Sequence, residues 1–308
     1  MDTTEIPAEP SMPYALAALG VLFASICFGF VPLFSRGLTD QGLAPYAIAF
    51  YRYILAAMLL LPVTLRYLSQ WREILWGMGA GAVMGMGWIG YVSALETVPA
   101  STVGVLYMTY PVFTVLIAWV LFREGPTRRS LLASTLIILA AAIAGGPASV
   151  PAEQLPTLLL SLAAPFGFGF GICVLVHRLS RLPPLARISS VSLGSVIGLA
   201  PLILTSDMAE VLPSGRQQWM LIAGIGLVTA LIPQLIYTIC SPLIGTTRTA
   251  VIGSVELPTM FAIGFFAFQE AITASQAIGC VLILTAIAVT QSRSTRTVTT
   301  VIARAAKR

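Results

Sequence analysis

Two ionisable side chains stand inside long apolar stretches, Arg52 between Tyr51 and Tyr53 and Glu256 between Val255 and Leu257. A charge at membrane depth costs at least about 2.5 to 3.5 kcal/mol, so each must face protein or water and find a partner. Arg52 keeps its charge and presents a planar fork of donors that matches a carboxylate. Its competing role is a tie between helices through backbone carbonyls. Glu256 can gain or lose a proton as water access alternates, which suits a cation or proton site; the alternatives are a permanent ion pair or a protonated packing residue. Aromatic residues at helical spacing accompany the two charges. Trp88 and Tyr91 are three apart, as are Tyr107 and Tyr110, so each pair shares a helix face. Together with Gln234 and Tyr237 they would give a cavity aromatic walls and a few polar tips, which suits a small amphipathic solute. Interior packing is their competing role.

Other chemistries are excluded by what is missing. His177 is the single histidine, so no metal site can rest on a histidine pair, and the single lysine, Lys307, excludes a Gly-Lys-Ser/Thr phosphate loop. Cys27, Cys173, Cys240 and Cys280 each lie in apolar sequence without Cys-x-x-Cys spacing and read as buried packing residues. No cofactor is implied. His177 closes a predicted span beside Arg178 and reads as an interfacial residue, with a proton relay as the alternative. Glu124 and Glu270 are expected to cap or clamp the spans that follow them.

The elements that must hold these residues are membrane helices. Of 308 residues 57% are apolar and 9% charged, against about 25% charged in a soluble domain; the mean hydropathy is +0.91. Ten stretches are long enough to cross about 30 Å of hydrocarbon. They are Tyr14 to Phe34, Ala44 to Leu65, Ile74 to Leu95, Thr102 to Phe122, Leu131 to Gly145, Leu158 to Val176, Ile188 to Leu204, Trp219 to Ile239, Ala250 to Phe268 and Ile272 to Thr290. The fifth is the shortest, and its start can slide back toward Arg129. Asp2, Glu5 and Glu9 precede the first span and no basic n-region does, so a cleavable signal is not expected. With the N-terminus inside, fourteen of the 17 basic residues fall on the cytoplasmic side and only Arg36 and Arg216 on the other. Both termini are therefore expected in the cytoplasm of a cell with the chain in its inner membrane, and the pI of about 9.2 is a topology signal without bearing on nucleic acid. Gly77, Gly81 and Gly85 give the third span a smooth face for close helix contact, and Pro111, Pro165, Pro233 and Pro258 permit kinks. Trp71, Trp76 and Trp219 near span ends are assigned to interfacial belts.

The sequence also repeats. A shift of 146 lays Tyr91 on Tyr237, Trp88 on Gln234, Phe122 on Phe268, Glu124 on Glu270 and Tyr110 on Glu256. Aligning Pro62 with Pro201 sets Val191 against Arg52, so that charge is present in one half only. Five spans in each half make the second enter from the opposite side. The expected fold is an all-α integral membrane protein of ten helices in two inverted five-helix repeats. Its parts are an N-terminal tail (1–13), a first repeat (14–146), a connecting loop (147–157), a second repeat (158–291) and a basic tail (292–308).

The run Tyr51-Arg52-Tyr53-Ile54-Leu55-Ala56-Ala57-Met58-Leu59-Leu60-Leu61-Pro62 resembles the second-span signature of the EamA-type branch of the drug/metabolite transporter superfamily. Tyr110-Pro111-Val112-Phe113 through Trp119 to Glu124 resembles it too, as do Glu256-Leu257-Pro258, Phe268-Gln269-Glu270, Gln276 and Gly279. There are departures: Phe28-Gly29 replaces the usual Trp-Gly pair, and Phe166-Gly167-Phe168-Gly169 marks the sixth span. The resemblance covers about Ala15 to Thr290 and implies ten helices and movement of small metabolites, often outward. A secondary exporter of amino acids or amino-acid-derived compounds is expected, since an arginine and a glutamate together could hold a zwitterion. Its partners would be the lipid bilayer, the small-molecule substrate and a proton or counter-substrate. The alternatives are an importer of a vitamin or nucleotide-like precursor, and, in another class, a membrane scaffold or an intramembrane enzyme. With no ATP site, a gradient is the energy source within the chain.

Overall fold

In lipid no water satisfies the backbone, so an uncharged apolar run must bond within itself as a helix. The computed structural model describes residues 14–144, 151–244, 252–253 and 255–291, and among these residues there are helices and turns but no strand. In order they are α1 (Tyr14–Gly29), α2 (Val31–Thr39), α3 (Pro45–Arg66), α4 (Trp71–Thr97), α5 (Ala100–Tyr107), α6 (Tyr110–Phe122), α7 (Arg128–Ala144), α8 (Leu155–Ser161), α9 (Ala163–His177), α10 (Pro184–Thr205), α11 (Met208–Val211), α12 (Arg216–Gly226), α13 (Ile232–Ile244), α14 (Glu256–Phe268) and α15 (Ala274–Gln291). A π-helical turn, Leu227–Leu231, joins α12 to α13.

Among the described residues, seven helical runs are long and apolar enough to cross a membrane: Tyr14–Thr39, Pro45–Arg66, Leu68–Thr97, Ala100–Phe122, Ala152–His177, Pro184–Thr205 and Arg216–Cys240. Helices α7, α14 and α15 fall short of that length over their described residues. Large apolar side chains such as Met58, Leu59, Trp119, Val120 and Phe266 point outward, as lipid contact demands.

Several boundaries differ from expectation. The first run continues to Thr39 because Phe30 turns the chain without ending it, and α7 begins at Arg128, ahead of the expected Leu131. Helix α8 starts at Leu155, ahead of the expected Leu158. Pro165 lies in the first turn of α9, and the break falls just upstream, at Leu162. Ala250 and Arg248, the tails 1–13 and 292–308, and residues 145–150 lie outside the described residues.

The tightest helix pairs all join one half of the chain to the other: α4 with α10 and α9, α3 with α10, α7 with α15, α1 with α13, and α6 with α9. Small residues permit this approach. A Cβ on Gly81 would strike the Val191 carbonyl, and one on Gly194 would strike that of Met78, so backbones of α4 and α10 meet directly. Ser195 Oγ donates to the Gly81 carbonyl at 2.7 Å across that seam. Between α3 and α10, Thr64 Oγ1 donates to Ser189 Oγ at 2.5 Å, and Ser189 in turn donates to the Leu60 carbonyl at 2.8 Å. Such bonds satisfy hydroxyls that lipid could not.

Among the described residues five runs are interrupted, at Phe30, at Met108 and Thr109, at Leu162, at Leu227–Leu231 and at Val255. Pro32, Pro111, Pro165, Pro233 and Pro258 follow within three residues. Each proline lacks the N–H that would bond the carbonyl four residues earlier, so the helix is weakest there.

Candidate functional site

Residues beside three of these interruptions, Phe28, Tyr107 with Tyr110, and Glu256, line one cavity of about 150 Å³ inside the bundle. Its first wall carries Trp88 from α4, Tyr107 and Tyr110 from either side of the α5–α6 break, and Phe168 from α9. Their rings form a continuous edge-to-face and tilted set, with centroids 5.7 Å apart for Trp88 and Tyr107, 6.0 Å for Tyr107 and Tyr110, and 5.0 Å for Tyr110 and Phe168. The second wall carries Gln234, Tyr237 and Thr238 from α13, Gly253, Glu256 at the start of α14, and Ser25 and Phe28 from α1. Phe28 meets Tyr237 edge-on at 6.0 Å.

Arg52 reaches the cavity from α3 and is 6% exposed. Its guanidinium carbon sits 3.8 Å from the Trp88 ring centre, a cation–π contact. Nη2 donates to the Thr229 carbonyl at 3.0 Å. That carbonyl is four residues before Pro233, which has no N–H to give it, and it lies in the π-helical turn. Arg52 thus repairs a helix defect with one nitrogen. Its Nε and Nη1 are buried without a hydrogen-bond partner. Donors of this kind are costly to leave unused, which marks the place where an acceptor fits.

Glu256 opens α14 after the turn at Val255. Among the described residues it forms neither a hydrogen bond nor an ion pair, and Arg52 and Glu256 share the cavity without bridging. The permanent ion pair is therefore not formed here. Both side chains stay available to something placed between them.

Of the eight residues singled out from the sequence, Arg52, Trp88, Tyr107, Tyr110, Gln234, Tyr237 and Glu256 border the cavity. Tyr91 does not. It is fully buried behind the first wall, against Trp88 at 4.7 Å and Tyr107 at 5.6 Å, with its hydroxyl 4.0 Å from the Met260 sulfur. Three residues along an α-helix are about 60° apart, enough to turn Tyr91 off the face that Trp88 presents. Tyr107 and Tyr110 are also three apart, but the break between them resets the phase and both reach the cavity.

The sequence reading missed Ser25, Phe28, Tyr53, Phe168 and Thr238, and it counted Arg187 only among the cytoplasmic-side basic residues. Arg187 lies in the first turn of α10 at the cavity edge, its Nε donating to the Leu182 carbonyl at 2.7 Å and its Nη2 to that of Ser180 at 2.9 Å. The Phe-Gly alternation that set the sixth span apart was the available signal for Phe168. Val191, the counterpart of Arg52, also borders the cavity.

Matched positions repeat in the backbone as well. Arg123 and Gln269, 146 residues apart, end α6 and α14 with φ of 58° and 54°, the two non-glycine residues with positive φ among those described. After each, the amide of Glu124 or Glu270 donates to the carbonyl of Ala118 or Gly264 at 3.0 Å, so the two helix ends close in the same way.

Known proteins resemble the chain as a whole. An uncharacterized transporter of Synechocystis sp. is 27% identical over 225 residues, spanning 70% of this chain and 67% of its own. A solved crystal structure of a protein superposes on 92% of this chain and 98% of its own with a TM-score of 0.63. At 18% identity that likeness is one of fold. Residues 15–146 and again 155–291 match the EamA-like transporter family. Matched twice over nearly its whole length, the chain belongs to the EamA-like transporter family and is a membrane transporter.

Proposed function

We propose that the chain is a secondary transporter that exports amino acids or amino-acid-derived compounds by alternating access. The observation that carries this reading is the unpaired pole on each side of one cavity. Arg52 has two buried unpartnered nitrogens suited to a carboxylate, and Glu256 stands unbridged to receive an ammonium group or a proton. A cavity of about 150 Å³ is below the usual 300–1,000 Å³ of drug-sized sites, which favours a small solute. The aromatic wall supplies apolar contact for its body.

The architecture behind this reading is two inverted five-span repeats. It is supported by the double family match, by the paired helix ends 146 residues apart, and by the pairing of helices. The third span of each half packs on the first span of the other, α4 on α8 and α9 and α13 on α1, while the second spans α3 and α10 pack on each other. The charge bias supports an inner-membrane protein with both termini in the cytoplasm.

Metabolite profiling of cells with and without overexpression, followed by counterflow of the hits in proteoliposomes, tests the function. Saturable counterflow of an amino-acid-like solute is expected. Saturable counterflow only for vitamin or nucleotide-like precursors would replace the substrate class, and none for any solute would overturn the transporter mechanism.

A further inference from the structure

Two contacts at opposite faces of the bundle occupy matched positions and differ in their chemistry. At one, Arg36 at the end of α2 donates Nη1 to Glu270 Oε1 at 2.7 Å, and its guanidinium carbon lies 4.6 Å from the Phe268 ring centre. Glu270 Oε1 also accepts the Ala100 amide at 3.0 Å. At the other, His177 at the end of α9 places Nε2 2.9 Å from Glu124 Oε1, and its ring stacks on Phe122 with centroids 4.2 Å apart. Phe122 and Glu124 are the 146-residue counterparts of Phe268 and Glu270. The cation comes in each case from the last turn of the first span of the other half. Glu124 and Glu270 therefore clasp the other half, and neither serves the span that follows it. Ala100 and Phe122 end the same membrane-crossing run, so the clasps sit on opposite faces.

The clasps are unequal. Gly264 leaves room for the Glu270 carboxylate, whose Oε2 would lie 2.7 Å from a Cβ placed there, and the Glu270 side chain is 11% exposed. The matched residue is Ala118, and the Glu124 side chain is 61% exposed. More decisive is the cation. Arginine stays charged, but His177 Nδ1 lies 2.8 Å from the Cys173 carbonyl, which can only accept. Nδ1 must carry a proton. Nε2 then donates to Glu124 only if the ring is an imidazolium, and otherwise turns a lone pair toward the carboxylate unless Glu124 is itself protonated. Either way the closed clasp holds one proton more than a neutral histidine beside an ionised glutamate.

We propose that His177 and Glu124 form a proton-binding site that locks one face of the transporter, while Arg36 and Glu270 form its proton-independent counterpart on the other face. Loss of the proton leaves the His177 face with one fewer bond between the two halves and frees it to open. Other charges near His177 do not supply the lock. Arg178 lies over Phe122 at 5.8 Å and Trp76 at 5.0 Å, and Glu73 of α4 is engaged by Arg181 at 3.7 Å. Cys173, one turn back, donates its thiol to the Thr114 carbonyl.

The inference rests on alternating access, yet its test needs no substrate, so a failed counterflow assay and a failed pH response are separate results. Spin-label pairs at Gly125 and Ser180, and at Asp40 and Ala271, report the distance across each clasp in the full chain in nanodiscs, with the native cysteines replaced by alanine. Raising the pH from about 5 to about 8 spans the histidine transition and should increase the open population at the His177 face about two- to fivefold, the scale of an exposed ion pair. H177R should stay closed at both pH values and H177Q should be open at both. The Arg36 face should not respond to pH in any of them. An unresponsive His177 face, or a response that persists unchanged in H177Q, overturns the proposal.

Discussion

The two walls of the cavity are cut from the same pattern and carry opposite chemistry. Trp88 on the first wall is matched by Gln234 on the second, Tyr107 by Gly253, and Tyr110 by Glu256. Arg52, which leans on Trp88, is matched by Val191. The backbone did not diverge in the same way, since α6 and α14 start at matched residues and end in the same left-handed turn. The difference shows where duplication constrained the molecule. Helix ends and breaks set how the halves interlock, and changing them would disturb both faces of the bundle, whereas side chains at the cavity could change one at a time. The outcome is a box with a cationic aromatic end and an acidic amide-bearing end. A symmetric box would hold a zwitterion in either direction; a polarised one fixes its orientation.

The comparison is broken most directly at Arg52. R52Q should lower kcat/KM for counterflow about 10- to 100-fold, the loss expected for charge-assisted bonds worth about 1.5–3 kcal/mol. R52K keeps the charge without the planar fork and should fall between. Moving the charge with R52V and V191R together should not restore transport, because no carbonyl freed by a proline awaits it on that side. Rescue by the swap would show that the walls are interchangeable. Next in size is Glu256. E256Q should reduce flux about tenfold, the loss of one charge-assisted contact worth about 1.5 kcal/mol, and flatten its dependence on pH. Flux and pH profile both matching the unaltered protein would remove Glu256 from the mechanism and leave the second wall merely polar.

What could be read in the sequence was set by free-energy cost. Arg52 and Glu256 announce themselves because a charge in lipid is expensive at every position along a span. Trp88, Gln234, Tyr237 and Tyr110 follow from the repeat, since a duplicated frame carries matched side chains to matched places. Phase is harder to read. Tyr91 and Tyr110 hold the same spacing to their partners, and only the break at Met108 and Thr109, a property of backbone bonding upstream of no unusual residue but Pro111, separates a wall residue from one behind it. Ser25, Phe28 and Phe168 were missed for a related reason. They come from first spans that cross to the opposite half, and nothing in a linear pattern states which half a helix will pack against.

A third measurement sharpens the polarity of the box. Trp88 offers its face to Arg52 at 3.8 Å, a contact worth about 0.5 to 2 kcal/mol depending on desolvation. W88Q, which copies the matched residue of the other wall, should raise KM about two- to tenfold and leave kcat nearly unchanged, while W88F should recover most of the loss. Equal effects of the two substitutions would mean that the volume of the indole matters and its electron-rich face does not.

The smallest effect is expected at Tyr91, and its smallness is informative. Its counterpart Tyr237 borders the cavity and meets Phe28, whereas Tyr91 is fully enclosed with its hydroxyl facing only a thioether, a weak acceptor. Y91F therefore removes a poor hydrogen bond and keeps the ring packing, so stability should change by less than about 1 kcal/mol and counterflow should be unaffected. Y237F deletes a hydroxyl on a cavity-lining side chain and should change KM if the solute touches that wall. A larger transport defect in Y91F than in Y237F would mean that the first wall opens far enough for Tyr91 to reach the solute, and the polarity argued from the closed arrangement would then describe only one state of the cycle.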